Sequence, residues 1–395
     1  MARIVVLAQY FPPETNAGAN RLGPLADALA TEHDVVVSTL KPSFPSADAF
    51  ASTEVARADA QRGYPVRRAF AFRPHSRSLA VRAVRELGMS VALAASSLRG
   101  PVDVIVASAP SMFLAPVGLA VARLRRALFV LDIRDLTWQL AGELDVGGQA
   151  TAVLAGAMWW TVSRADLIVS ATPGITKLLV ARGLEERTIT IPNLLSADLR
   201  TALEGQGEPT PKARPVVAYT GLLGQSQGLR VLLDAAERLP HADFVLAGDG
   251  SDRQLLERDA ARRRLENVLF TGWLDRDGVL DVYRRADVLF LQTRDTAYTN
   301  ATVLPVKMFE YMASGTPFVY AGKGIAVELL QEAGCALVVD PDDGDAIVAA
   351  LAELLADDEL RSSLGRRGRE WTRSAGDRES VSRLLPEALR ERGLA

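Results

Sequence analysis

The sequence predicts an α/β chain of two doubly wound, parallel-sheet domains, and three observations carry that prediction. At 395 residues the chain is too long for one ordinary core, so about two domains is the natural division. Short apolar, β-branched runs alternate with amphipathic helical segments, which is the pattern of a parallel sheet covered on both faces. The runs fall into two sets of six, each enough for one doubly wound domain, with a stretch rich in Gly, Pro and charge between them.

The first set is "IVVLAQ", "DVVVSTL", "VDVIVASAP", "ALFVLDIRD", "DLIVSAT" and "TITIPN". Its opening apolar run, Ile4 to Ala8, is shorter than the core of a secretion signal and runs into Pro12-Pro13, so it reads as a first strand. The longest uncharged run, Val104 to Ala122, is nominally long enough to span a bilayer. Ser108, Pro110, Ser111 and Pro116 break it into a strand, a turn and a buried helix. Ser196 to Pro215 lacks apolar periodicity and reads as a linker. The second set is "PVVAYTG", "DFVLAGDG", "NVLFTGW", "DVLFLQT", "PFVYAGK" and "ALVVDP", followed by a helical tail. The expected division is a first domain over 1–197, a linker over 198–215 and a second domain over 216–375. The last helix, about 376–395, is expected to pack back on the first domain.

Composition excludes several kinds of chemistry. With 48% hydrophobic and 24% charged residues the chain is well buried. A net charge of −3 argues against a nucleic-acid partner. The single cysteine, Cys335, rules out a disulfide framework or a cysteine-based zinc site and fits a cytoplasmic setting. Three histidines, none in a metal-ligand spacing, make metal hydrolysis and Ser-His-Asp chemistry poor expectations, and no metal is expected.

In doubly wound domains ligands bind at the carboxyl ends of strands, here in a cleft between the two domains, so the loops after strands matter most. After the first strand Gly18 lies just before a helix expected to begin near Asn20. A glycine there lets the backbone approach a phosphate or sugar, with Asn20 and Arg21 adding donors. Ordinary turn chemistry is the other reading of Gly18. After "ALFVLDIRD" come Arg134 and Asp135, read either as site residues or as a strand-end ion pair. In the second half Gly221, Gly224 and Gly228 form a Gly-rich turn, with a helix expected near Gln227. "GDG", Gly248-Asp249-Gly250, is a tight turn whose backbone is available to a nucleotide. Lys307 and Glu310 share one helical face in "TVLPVKMFEYMASGTPFVY", near an N-terminal end expected to favour an anion, with Pro305 in the first turn. A plain ion pair is the alternative.

Taken in order, "YFPPE…G…R", "IPN", "GLLGQSQGL", "GDG", "TGW" and "EYMASGTP" resemble the GT-B glycosyltransferases of family 4 over nearly the whole chain. These are retaining enzymes of two Rossmann-like domains that use nucleotide sugars. "QSQGL" and "LPVKMFEYMASG" look most like the bacterial branch with N-acetyl-fucosaminyltransferases of O-antigen and capsule assembly. The resemblance implies a nucleotide-diphosphate sugar donor of the UDP type, no further cofactor, and a sugar-containing acceptor, lipid-linked if the chain docks on the inner membrane leaflet. Glu310 matches the second glutamate of the family's Glu-x7-Glu motif, which holds the donor ribose. The first falls at Thr302, a departure. The usual arginine and lysine on the diphosphate fall at Leu222 and Gln227, also departures. Lys307 is therefore the expected cation for the leaving phosphate, helped by the N–H groups of Val303 and Leu304 and by the helix near Gln227. Asp135 is the expected orienter of the acceptor hydroxyl.

From Arg62 to Arg99 there are eight arginines and one acidic residue, Glu86. With the amphipathic "SLAVRAVRELGMSVALAASSL" this reads as docking on the inner membrane leaflet, or else as an arginine-rich solvated face. A transferase with a soluble acceptor, a nucleotide-sugar epimerase of the same fold and a transferase-derived binding protein remain the rival readings.

Overall fold

The computed structural model describes residues 1–14, 16–43, 50–70, 79–95, 99–109, 111–139, 148–205, 213–224 and 227–393. The chain divides into two compact units, Met1–Asn193 with Arg378–Ala395, and Leu194–Asp377. Each is built on its own parallel sheet.

The first sheet contains β1 (Arg3–Ala8), β2 (Asp34–Leu40), β3 (Val66–Ala69), β4 (Val104–Ala109), β5 (Leu128–Ile133), β6 (Leu167–Ser170) and β7 (Thr188–Thr190). Their order is β3-β2-β1-β4-β5-β6-β7. β1, β2 and β4 bury nearly every residue, as strands covered on both faces must. One strand more is present than the six expected. β3 reads "VRRA" and lies at the sheet edge, where it is only half-buried, so two consecutive arginines hide it from a search for apolar runs. The uncharged run from Val104 becomes β4 and the helix Leu114–Arg125. Among the described residues no helix is long and apolar enough to cross a membrane.

The second sheet contains β8 (Val216–Thr220), β9 (Asp243–Ala247), β10 (Val268–Gly272), β11 (Val288–Gln292), β12 (Phe318–Ala321) and β13 (Ala336–Val339), in the order β10-β9-β8-β11-β12-β13. In both sheets the winding reverses direction once, between β1 and β4 and between β8 and β11, and a crevice opens there at the carboxyl ends.

The stretch expected to be linker begins instead with a helix, Ala197–Glu204, capped by the Ser196 hydroxyl, which accepts from Leu199 N–H at 3.2 Å. Its Leu203 is fully buried, and Arg200 reaches the Gly376 carbonyl at 2.8 Å. One apolar anchor and one cap suffice for so short a helix, too little to register as periodicity. The chain then returns: Leu385, Ala388 and Leu389 join the core of the first unit, where the helices Arg378–Ser382 and Leu384–Glu391 pack on the helix Ala17–Ala30.

Candidate functional site

In the second unit the residues of interest gather at the β8/β11 crevice. Pro305 is the N-cap of the helix Val306–Ser314, preceding the first turn instead of lying in it. A separate helix, Ala297–Thr302, comes before it, and its end consumes two groups expected to face the donor. Val303 N–H donates to the Thr299 carbonyl at 3.0 Å. Thr302, 2% exposed, donates its hydroxyl to the Tyr298 carbonyl at 2.7 Å. A carboxylate at 302 would be desolvated at this spot, whereas threonine satisfies itself on its own helix. The N–H groups of Leu304, Val306 and Lys307 meet no acceptor among the described residues, so the free donors start at Leu304.

The helix Val306–Ser314 buries Met308, Phe309, Tyr311 and Met312 and turns Lys307 and Glu310 outward. Gly315 ends it in the left-handed region (φ 71°), and Arg369 donates to the Ser314 carbonyl through Nε (3.2 Å) and Nη2 (2.5 Å). Phe309 stacks on Trp371 at 5.8 Å between ring centres. The helix is thus clamped from behind by the long helix Asp358–Ser374.

Lys307 runs back across the crevice. Its Nζ lies 1.6 Å from where a Cβ on Gly221 would stand and 5.1 Å from the centre of the Tyr219 ring. Gly221 has φ 130°, so both its backbone and the ammonium above it require glycine. No carboxylate lies within 4.0 Å of Lys307 Nζ among the described residues. Burial lowers its pKa, partly opposed by the charge of Glu310. Glu310 is anchored: Tyr283 OH donates to its Oε2 at 2.7 Å and lies 3.0 Å from Thr220 Oγ1. Tyr283 is 1% exposed, and burial together with the Glu310 charge raises its phenol pKa well above 10. Lys307 and Glu310 are therefore not partners in a plain ion pair.

The glycines at the loop ends have a structural account. A Cβ on Gly248 would lie 1.7 Å from the Gly221 carbonyl oxygen, and one on Gly250 2.3 Å from the Leu223 carbonyl oxygen. Gly221 N–H donates to the Ala247 carbonyl (2.7 Å) and Leu223 N–H to the Asp249 carbonyl (2.9 Å). The loops after β8 and β9 lie backbone against backbone, which Gly248 and Gly250 serve. Asp249 is exposed, and its Oδ1 accepts from Gly250 N–H at 2.7 Å. The helix expected near Gln227 begins at Arg230. Gln227 precedes it, its Oε1 shut from solvent without a hydrogen-bond partner. Leu222 is 60% exposed. Gln225 and Ser226 lie outside the described residues.

In the first unit the helix expected near Asn20 begins at Ala17, because Asn16 caps it: Asn16 Oδ1 accepts from the N–H groups of Gly18 and Ala19 at 3.0 Å. Gly18 therefore lies inside the first turn. Arg21, expected to offer donors to a ligand, is 2% exposed and spent elsewhere. Its Nε and Nη2 donate to Asp132 Oδ1 (2.9 and 2.8 Å) and its Nη1 to the Ile191 carbonyl (2.7 Å). Ser108, the register partner of Asp132, donates to the other carboxylate oxygen at 2.9 Å. A buried ion pair so fully hydrogen-bonded joins the helix to β4, β5 and the end of β7 and is not free to bind. Arg134 and Asp135 follow β5, and Arg134 Nε donates to the Ala109 carbonyl at 2.9 Å. No oxygen of Asp135 lies within 4.0 Å of the Arg134 guanidinium, so the two form no strand-end ion pair. Burial pushes the Asp135 carboxyl up to about 6, against the lowering effect of Arg134.

Residues 203–371, less than half of the chain, match the family described as Glycosyl transferases group 1. Over 98% of this chain and 100% of its own length, the putative colanic acid biosynthesis glycosyl transferase WcaI of Escherichia coli strain K12 is 25% identical. The lipopolysaccharide core biosynthesis glycosyltransferase LpsE of Rhizobium meliloti is 27% identical over 55% of this chain and 62% of LpsE, so less than two thirds of that relative is spanned. Among solved structures, Anabaena HepE in complex with UDP superposes with a TM-score of 0.71 at 17% identity, covering 98% of this chain and 100% of that one. Sucrose-phosphate synthase from Thermosynechococcus elongatus gives 0.73 at 19%, covering 99% of each. Two Rossmann-like domains of the GT-B kind are the shared architecture.

Proposed function

We propose that the chain is a retaining glycosyltransferase that moves a sugar from a nucleotide-diphosphate sugar of the UDP type to a lipid-linked saccharide acceptor in cell-surface polysaccharide synthesis. Lys307 carries the reading. A desolvated ammonium without a carboxylate partner stands over Gly221, one turn from a carboxylate held by Tyr283. An ammonium offers three N–H donors and no acceptor, so its natural complement there is an anion. The leaving diphosphate gains charge as the glycosidic bond breaks, and a fixed cation in a low-dielectric pocket stabilises that charge without reorganisation. Glu310, with one oxygen held, presents a carboxylate to the ribose hydroxyls. The free N–H groups of Leu304 and Val306 add donors at the helix start. No metal is invoked, because Lys307 supplies the positive charge.

In the first unit Asp135 orients the acceptor hydroxyl, and the departing phosphate takes its proton. The names of WcaI and LpsE support a cell-surface saccharide as product. Docking on the inner membrane face rests on the helix Leu79–Ala95, whose Val81, Val84, Leu87 and Val91 form an exposed apolar stripe beside exposed Arg82. Of the basic stretch 62–99, residues 71–78 and 96–98 lie outside the described residues.

The test is turnover with whichever nucleotide sugar raises the melting temperature in a panel. Lys307→Ala should lower it by about two to three powers of ten, and Lys307→Arg far less. Near-normal turnover in Lys307→Ala would remove the lysine from the reaction and with it this reading.

A further inference from the structure

The edge of the first sheet holds a cavity that the reaction described above does not use. It measures about 470 Å³ and lies between the helix Ser52–Ala60 and the residues that leave β2 and β3. The helix buries a single residue, Val55, and Asp59 ties it to the sheet. Arg68 of β3 donates from Nε and Nη2 to the two oxygens of Asp59, each at 2.8 Å, and from Nη1 to the Leu40 carbonyl at 3.2 Å. That pair is spent on the protein, and the space beside it stays open. Phe50, Val55, Val66 and Phe70 supply apolar walls, with Phe70 72% exposed. A large ring left open beside an apolar cavity is the mark of a ligand pocket. Two polar groups of the lining have no hydrogen-bond partner among the described residues. Lys41, the residue after β2, is exposed, has no carboxylate within 4.0 Å, and holds its Nζ 5.7 Å from the centre of the Phe70 ring. Ser43 Oγ is shut from solvent without a partner, while the Ser43 N–H donates to Glu14 at 2.9 Å. Lys41 and Arg68 stand against Asp59 alone, so the described lining carries one positive charge in excess.

An apolar body beside one unpaired ammonium and one unused hydroxyl complements an amphiphile with an anionic head. We propose that this cavity binds the apolar chain and the phosphate of a lipid phosphate, with the chain between Val55 and Phe70 and the phosphate on Lys41 and Ser43. The ammonium meets the phosphate as a compact point charge, and Ser43 Oγ donates a further hydrogen bond. The position suits the lipid end of an acceptor. β1, β2, β3 and β4 run parallel, so Lys41 and Phe70 emerge at the same edge of the sheet as the β1/β4 crevice. Neighbouring strands lie about 4.8 Å apart, which puts the end of β2 one spacing from β1 and that of β3 two, about 10 Å. A lipid-linked saccharide then reaches the crevice with its sugar while its lipid end lies at the sheet edge. The assignment to an acceptor rests on the function proposed above; the binding itself is tested without it.

The experiment is calorimetric titration of the full chain with geranyl phosphate, kept below its micellar concentration, alongside geraniol, decyl phosphate and UDP. Geranyl phosphate should bind about tenfold more tightly than geraniol, and Lys41→Met should erase that preference while leaving geraniol affinity as it was. Ala56→Phe, at an exposed position that lines the cavity, fills the space and should weaken both ligands by about tenfold or more. Ser52→Phe, one turn earlier on the same face, repeats that test independently. All three variants should melt within about 2 °C of the native protein, as exposed substitutions do. Geranyl phosphate affinity that survives both phenylalanine variants overturns the site, as does a preference for the phosphate that survives Lys41→Met. Binding seen only above the micellar concentration overturns it as well, since the ligand would then be acting as a detergent. Decyl phosphate separates two sources of the chain. Weaker binding than geranyl phosphate assigns the cavity to a prenyl-linked acceptor, and equal or tighter binding assigns it to a phospholipid of the membrane. UDP reads the second unit separately: UDP binding without geranyl phosphate binding overturns the cavity assignment alone, and the reverse overturns the transferase reading and leaves the cavity standing.

Discussion

Gly221 and Lys307 depend on each other, since any side chain at 221 would occupy the volume of the ammonium. Tyr283 does comparable work for Glu310, and nothing in the sequence near position 283 marks it. Tyr283→Phe removes the 2.7 Å bond that fixes the carboxylate while keeping the ring that packs edge-on to Tyr311. Hydrogen bonds to charged groups contribute about 1.5–3 kcal/mol, so affinity for UDP should fall by about tenfold or more with the fold intact. Calorimetric titration reads it, and unchanged affinity would show that Glu310 needs no anchor. Asp135 offers a pH test. Its carboxyl rises from 3.8 to about 6 in the folded chain, so the native state holds a proton that the unfolded state has released. Its stabilising contribution is complete below about pH 4 and is lost as pH rises through about 6. Asp135→Asn should therefore gain stability at pH 8, by at most about 3 kcal/mol, and gain nothing at pH 4. Turnover in the native protein should fall on the acid side with an apparent pKa near 6, and the asparagine variant, slow throughout, should lose that limb.

Among the elements, the helix Val306–Ser314 shows how a site is held from behind. A Cβ on Gly365 would lie 2.0 Å from the Gly315 carbonyl oxygen and one on Gly368 2.9 Å from that of Met312, so the helix Asp358–Ser374 approaches closely only because both are glycine. The "GRRG" of the tail is legible as helix, but its purpose is visible only against its neighbour. The helix Leu79–Ala95 poses the opposite question, that of a face without a neighbour. Met89, Leu93 and Ala94 are buried against the first unit, whereas Val84 is 71% and Val91 51% exposed. If this stripe enters an anionic membrane, the native chain floats with vesicles containing phosphatidylserine, and Val84→Glu with Val91→Glu should abolish flotation while leaving the melting temperature within about 2 °C, as exposed substitutions do. Flotation that persists in the double variant would move the membrane contact elsewhere.

At the scale of the whole molecule the chain builds two cores and closes the first with its last residues. Leu385 and Leu389 reach the core of Ile4, Leu22 and Val106 from the far end of the sequence. Local signals were enough to read the alternation of strand and helix, the doubly wound class, the loops in which Gly221, Arg134 and Asp135 stand and the helix that carries Lys307 and Glu310. Apolar periodicity, caps and turn glycines act over a few residues, and a sequence displays them directly. Local signals mislead where a residue's partner is distant. Arg21 reads as a loop donor and is bound to Asp132, 111 positions away. Gly248 reads as a turn that offers its backbone to a nucleotide and makes room for the carbonyl of Gly221. Thr302 reads as a vacated acid and turns into its own helix. The sequence by itself determined the class of fold and which loops carry polar chemistry. Tertiary structure alone decided which polar groups are spent on the protein and which are left over, because pairing a buried charge depends on what the rest of the chain brings within about 3 Å of it.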